Sequence, residues 1–99
     1  MSAVYSLTWP EQRIAYVGCS RRGKRRIRAH RVGLRSGRHP HERLLDAYVA
    51  HGRPEGRVEL TCRARDMYRL EAETARRYAS EGWTVLSCPR SIARKETRR

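Results

Sequence analysis

Residues 4–39 read VYSLTWPEQRIAYVGCS (4–20) and then RRGKRRIRAHRVGLRSGRH (21–39). The first part predicts a β-hairpin. Residues 3–8 and 14–18 are short runs rich in β-branched and aromatic side chains, and Pro10 stands between them where a turn is needed. Tyr5 and Tyr16 are equidistant from a turn at 9–12, so a symmetric hairpin sets them opposite each other on one face. Val4 and Val17 then pair on the other face, toward the core. The second part predicts a helix over 21–34, with a thin apolar edge of Ile27, Val32 and Leu34 among many bases. Gly33 and Gly37 weaken its far end, and 36–40 is a loop. Arg26 and His30 sit at i and i+4 on one face of this helix, and His39 ends the loop. Groups able to handle a phosphate thus occur on consecutive elements.

Beyond this stretch, Pro40 suits the opening of a helix over 41–51, with Leu44, Leu45, Tyr48 and Val49 as its apolar stripe and Gly52 as its stop. Residues 57–62 (RVELTC) alternate as a third strand. Residues 64–80 predict the longest helix, where Met67, Leu70, Thr74 and Tyr78 have the spacing of a buried stripe. Gly82 stops it, and 83–87 (WTVLS) is a short last strand. The order ββααβα plus a short strand predicts an α+β fold, one small antiparallel β-sheet flanked by helices. Residues 1–88 make one domain, and 89–99 a basic, flexible tail.

The net charge of +13 comes from 23 Lys and Arg against 10 Asp and Glu. Most of the bases are Arg, which grips phosphate oxygens with two parallel hydrogen bonds. That balance points to nucleic acid and to salt-sensitive binding. Arg21, Arg22, Lys24, Arg25 and Arg38 are the candidate backbone contacts. Cys19, Cys62 and Cys88 form no C-x-x-C pair, so a zinc site is not expected and the thiols read as reduced. No run approaches the ~20 apolar residues of a membrane span, and no apolar leader opens the chain. The expectation is a cytoplasmic protein with no membrane partner and no small-molecule organic cofactor.

Glu73 borders the predicted buried stripe, about 60° from Leu70 and about 100° from Thr74 at about 100° per residue. A carboxylate there needs a partner or a cation. Mg²⁺, a hard ion held by one or two carboxylates plus water and phosphate, suits such a place. A salt bridge to Arg69, Arg76 or Arg77 is the plainer alternative. Glu71 lies on the other border of the stripe, and helix geometry alone does not choose between the two acids.

Val4-Tyr5 and Tyr16-Val17-Gly18 resemble the two halves of the motif that names the GIY-YIG nuclease superfamily. Arg26, His30 and His39 follow in that family's order. So do a helix ending in His51-Gly52, an acid at Glu73 in a later helix, and Gly82-Trp83 before a last strand. The pattern is most similar to phage intron-encoded homing endonucleases of the superfamily and covers residues 3–87. The resemblance implies hydrolysis of a DNA phosphodiester, on duplex or branched DNA, with one divalent metal ion, Mg²⁺ or Mn²⁺. It implies that Glu73 is the metal ligand and that Tyr5, with Tyr16 beside it, moves the proton of the attacking water. It implies that Arg26 binds the scissile phosphate and that His30 and His39 are further active-site groups. An ordinary tyrosine has a pKa of about 10, so the phenol needs nearby positive charge or a metal-bound water to act at neutral pH.

Ala3 replaces the motif's first Gly, Val17 its Ile, and Thr84 the Asn that many members carry after Gly-aromatic. A separate DNA-recognition domain has no counterpart in this sequence, which implies low sequence specificity unless a larger protein supplies it. The rival expectations are a non-catalytic basic nucleic-acid-binding module of the same fold and a basic protein–protein adaptor.

Overall fold

The protein's structure is a computed structural model that describes residues 1–86. The expectations for Ser87, Cys88 and the tail 89–99 lie outside the described residues. The elements are β1 (Ser2–Trp9), β2 (Ile14–Ser20), α1 (Gly23–Ser36), α2 (Glu42–His51), β3 (Glu55–Cys62), α3 (Met67–Ser80) and β4 (Thr84–Leu86), with a 3₁₀ turn at Ala64–Asp66 leading into α3. They form the predicted α+β architecture around one four-stranded sheet in the order β3-β1-β2-β4.

The sheet is mixed rather than wholly antiparallel. β1 is antiparallel to β2 and to β3, whereas β4 runs parallel to β2. The cause is the crossover through α3, which returns the chain in its original direction and so makes β4 parallel to β3 and β2. β4 pairs only with Ile14–Tyr16. Among the described residues, no strand covers the outer edge of β2 from Val17 to Ser20.

The hairpin forms, but its register differs from the symmetric expectation. Tyr5 pairs with Gly18, and Leu7 with Tyr16. The loop spans Pro10 to Arg13, with Arg13 at a positive φ of 56° and Gln12 N–H donating to the Trp9 carbonyl at 3.2 Å. Its centre lies one residue later than the sequence suggested, which slides the pairing by two. A slide of two preserves which face each side chain takes, so the tyrosines remain on one face as diagonal neighbours. The Tyr5 ring lies across Gly18, where a Cβ would stand 2.6 Å from the phenolic oxygen. Glycine makes this close approach possible.

Both faces of the sheet are covered, so the core is not on the valine side alone. Tyr5, Leu7, Trp9 and Tyr16 pack with Ile27 and Leu34 of α1 and Leu44 and Ala47 of α2. Val4, Ala15 and Val17 pack with Tyr78 of α3, flanked by Leu70 and Trp83. Burying each large side chain contributes about 1.5–3 kcal/mol. The Trp9 indole N–H, which needs a partner when buried, donates to the Gly52 carbonyl at 2.8 Å and ties the hairpin to the end of α2. α2 is short and docks through buried Leu44 and Ala47, with Leu45 and Tyr48 half-buried beside them, whereas Val49 of the predicted stripe is 84% exposed.

β3 carries a bulge. Val4 faces Leu60 but Tyr5 faces Val58, leaving Glu59 as the extra residue. Val58 therefore joins the α1 face and Leu60 the α3 face. The Glu59 carboxylate accepts from Tyr78 Oη at 2.6 Å and Ser6 Oγ at 2.7 Å, and pairs with Arg57 and Arg77. Burial alone would raise its pKa; these donors outweigh it and hold the carboxyl at about 2.

Candidate active site

A cavity of about 560 Å³ opens at the Ser20 end of β2, between α1 and the start of α3. Tyr5, Tyr16, Arg26, His30 and His39 all line it. Strand alternation aims both tyrosines at α1. The i, i+4 spacing on α1 points Arg26 and His30 back toward them. His39 arrives by a tight reversal. Gly37, with φ of 74°, ends α1 in the left-handed conformation, and Arg38 N–H donates to the Gly33 carbonyl at 3.1 Å. Gly33 leaves room for the returning ring, since a Cβ there would stand 3.2 Å from His39 Cδ2.

These side chains form one directed hydrogen-bond chain. Tyr5 Oη lies 2.7 Å from His30 Nε2. His30 Nδ1 lies 2.6 Å from His39 Nε2. His39 Nδ1 accepts from the backbone N–H of His41 at 3.0 Å. The backbone amide fixes the direction, because it only donates. His39 Nδ1 must be unprotonated, so its proton is on Nε2 and is donated to His30 Nδ1. His30 then carries its proton on Nε2 and donates it to the Tyr5 oxygen. Both of its ring nitrogens are engaged, so His30 acts through Tyr5.

The electrostatics keep these imidazoles neutral. Burial, with the neighbouring His39, Arg26 and His41, lowers the His30 pKa to about 3. Burial, then His41 and Arg26, lowers that of His39. A neutral donor chain ending on a phenolic oxygen stabilises negative charge there. Tyr16 packs edge-on against His30 and His41, with ring centroids at 5.3 and 5.4 Å.

Glu73 is not brought into the cavity. Its side chain is 48% exposed and pairs with Arg69 at 3.0 Å. The acid that faces the sheet is Glu71, which is 2% exposed. The buried residues of α3 are Glu71, Thr74 and Tyr78, a stripe turned toward Glu71 from the one drawn through Met67 and Leu70. Glu71 Oε1 lies 3.6 Å from Cys19 Sγ, and Cys19 lines the cavity. Met67 and Tyr68, one turn before Glu71, form its α3 wall.

The other basic candidates separate in space. Arg21, Arg22 and Arg25 join Arg26 around a shallow depression that borders the cavity at Ser20. Lys24 lies on a different flank of α1, and Arg38 is exposed at the end of α1. His41, absent from the predicted set, lines the cavity and caps α2 by accepting from Leu44 N–H at 3.3 Å. Its position just after Pro40 and before the helix was the available signal.

The donor set suits one kind of metal ion. Among the described residues, no three His, Cys, Asp or Glu side chains are placed to hold a metal ion together, so an all-protein cage is lacking. One buried carboxylate beside a cavity with room for water and a phosphate fits a magnesium-type site. No family model matches the chain, and neither a characterised protein nor a solved structure matches it.

Proposed function

We propose that this protein is a GIY-YIG-type DNA endonuclease, a cytoplasmic, metal-dependent phosphodiester hydrolase acting on duplex or branched DNA with low intrinsic sequence specificity. The observation that carries this reading is the directed chain from the His41 amide through His39 and His30 to Tyr5, on one cavity with Arg26 and beside buried Glu71. A binding module would gain nothing from a buried phenol supported in this way. No helix among the described residues is long and apolar enough to cross a membrane.

Arg26, exposed at the mouth of the cavity, binds the scissile phosphate and offsets the charge that grows on its oxygens. Tyr5 acts as its phenolate: its own proton leaves to water in the cavity beforehand, the N–H of His30 stabilises the charge left on the phenolic oxygen, and that oxygen then takes the proton of the attacking water and returns to the neutral phenol. His30 gives a hydrogen bond and does not serve as the base that strips Tyr5. Tyr16 holds the His30 and His41 rings in place by its edge contacts. Glu71 would hold Mg²⁺ or Mn²⁺, which when bound polarises the phosphate and lowers the pKa of its water. Arg21, Arg22 and Arg25 extend the positive surface along the substrate backbone.

The test is relaxation of supercoiled plasmid by the full chain with Mg²⁺ and with EDTA. The expected result is nicking in Mg²⁺ that EDTA stops and that Arg26→Ala slows by at least about tenfold. DNA binding without any relaxation in Mg²⁺ or Mn²⁺ would overturn this reading in favour of a non-catalytic nucleic-acid-binding module.

A further inference from the structure

A second basic concavity lies elsewhere on the molecule. It is a groove of about 810 Å³ between α1, α2 and β3. Lys24, Arg28, Arg31 and Arg35 of α1 line it, with Arg53 before β3 and Arg57 within it. No Asp or Glu lines it among the described residues. Of these bases only Arg57 has an ion pair among the described residues, with Glu59. So many unneutralised cations facing one groove repel each other, and an anion relieves that cost.

Two further observations point to a ligand. Arg31 Nε is buried with no hydrogen-bond partner among the described residues, which is uncommon and costly for a buried N–H donor. Gly56 shapes the floor beneath it, since a Cβ there would stand 2.5 Å from Ile27 Cγ2 and 3.3 Å from Arg31 Nη2. The missing side chain lets Arg31 lie down into the groove.

We infer that this groove binds the phosphodiester backbone of a nucleic acid away from the cleavage cavity. At about 100° per residue, the stripe of Lys24, Arg28, Arg31 and Arg35 is centred about 150° around α1 from Arg26 and His30. One helix thus separates the two surfaces. From Lys24 to Arg35 the stripe is about 16 Å long, roughly five nucleotides of strand at about 3.4 Å each. A repeated row of cations of that length suits a continuous polyanion better than a single phosphate group. The planar fork of Arg suits phosphate oxygens in particular. Binding here requires no chemistry, so this inference stands whether or not the cavity cleaves DNA.

The test is fluorescence anisotropy of a labelled duplex with the full chain in EDTA, titrated with salt. The groove variant is Lys24→Gln/Arg28→Gln/Arg35→Gln. The charge-matched control is Arg43→Gln/Arg65→Gln/Arg76→Gln, at exposed positions outside the groove. The groove variant is expected to flatten the log–log salt slope by about 2 to 3 and to weaken binding at least about tenfold at about 0.1 M salt, with the control losing less than about threefold. If the triple variant melts early, Arg28→Gln and Arg35→Gln are measured singly, each expected to flatten the slope by about 1; no flattening in either would overturn the inference. Equal losses in groove and control variants would also overturn it. So would displacement of the duplex by polyglutamate as effective, charge for charge, as displacement by unlabelled DNA.

Discussion

Gly18→Ala tests how tightly the tyrosine is seated. The new Cβ would stand 2.6 Å from Tyr5 Oη and 2.7 Å from Cζ. Non-bonded carbon contacts begin near about 3.5 Å, so the ring must retreat by about 1 Å. Tyr5 is 2% exposed and enclosed by core side chains, which leaves little room for that retreat. Overpacking of this kind costs about 1–3 kcal/mol. The 2.7 Å contact with His30 stretches beyond hydrogen-bonding distance, at a further cost of about 1 kcal/mol. The expected total is about 2–4 kcal/mol, or a fall in Tm of at least about 10 °C. Urea denaturation of wild type, Gly18→Ala, Tyr5→Leu and the double variant forms the cycle that isolates the contact. With the ring gone, Ala at 18 should cost at least about 1 kcal/mol less than in the wild-type background. Equal costs in the two backgrounds, or a single variant within about 0.5 kcal/mol of wild type, refute the packing argument.

Tyr5→Phe keeps the ring and removes the acceptor of the His30 proton; nicking should fall at least about 100-fold while stability changes by less than about 2 kcal/mol, as measured by single-turnover cleavage and urea midpoints. His30, with its pKa lowered from 6.5 to about 3, refuses a proton that the unfolded chain accepts. Stability is therefore full above pH 6.5 and declines as the pH falls toward 3. Urea midpoints between about pH 5 and 7 should show that slope, and His30→Asn should flatten it. Glu59 is held at about 2 rather than 4.5, so its contribution is present above 4.5 and lost as the pH falls through 2. Glu59→Gln should lose about 2–3 kcal/mol at neutral pH by leaving Arg57 and Arg77 without their carboxylate, together with that acid limb; an unchanged melting curve counts against the bulge network.

The elements are legible in the sequence because their signals are local. Alternating residues around Pro10, basic helical periodicity and the glycines at 37, 52 and 82 mark strands, helices and stops. What the sequence withholds depends on single residues in three dimensions. The hairpin register turns on Arg13 adopting a positive φ. The bulge at Glu59 changes the face of Val58, and nothing in RVELTC signals it. Glu71 and Glu73 border the same helical stripe, and only the docking angle of α3 separates a buried acid from an exposed salt bridge. Arg26, His30, His39 and both tyrosines emerge as a set because spacing and motif suffice for that. The direction of the chain that joins Tyr5 to His30 and His39 requires the backbone amide of His41, which no side-chain pattern reveals.

The central claim is that catalysis depends on the acid buried against the sheet, beside Cys19, and not on its exposed neighbour two positions along α3. The decisive measurement is the single-turnover nicking rate in Mg²⁺ for Glu71→Gln and Glu73→Gln, each checked for folding by its melting curve. Glu71→Gln should lose at least about 100-fold, whereas Glu73→Gln, which breaks only an exposed ion pair with Arg69, should stay within about threefold of wild type. A folded Glu71→Gln protein that nicks at the wild-type rate contradicts the account.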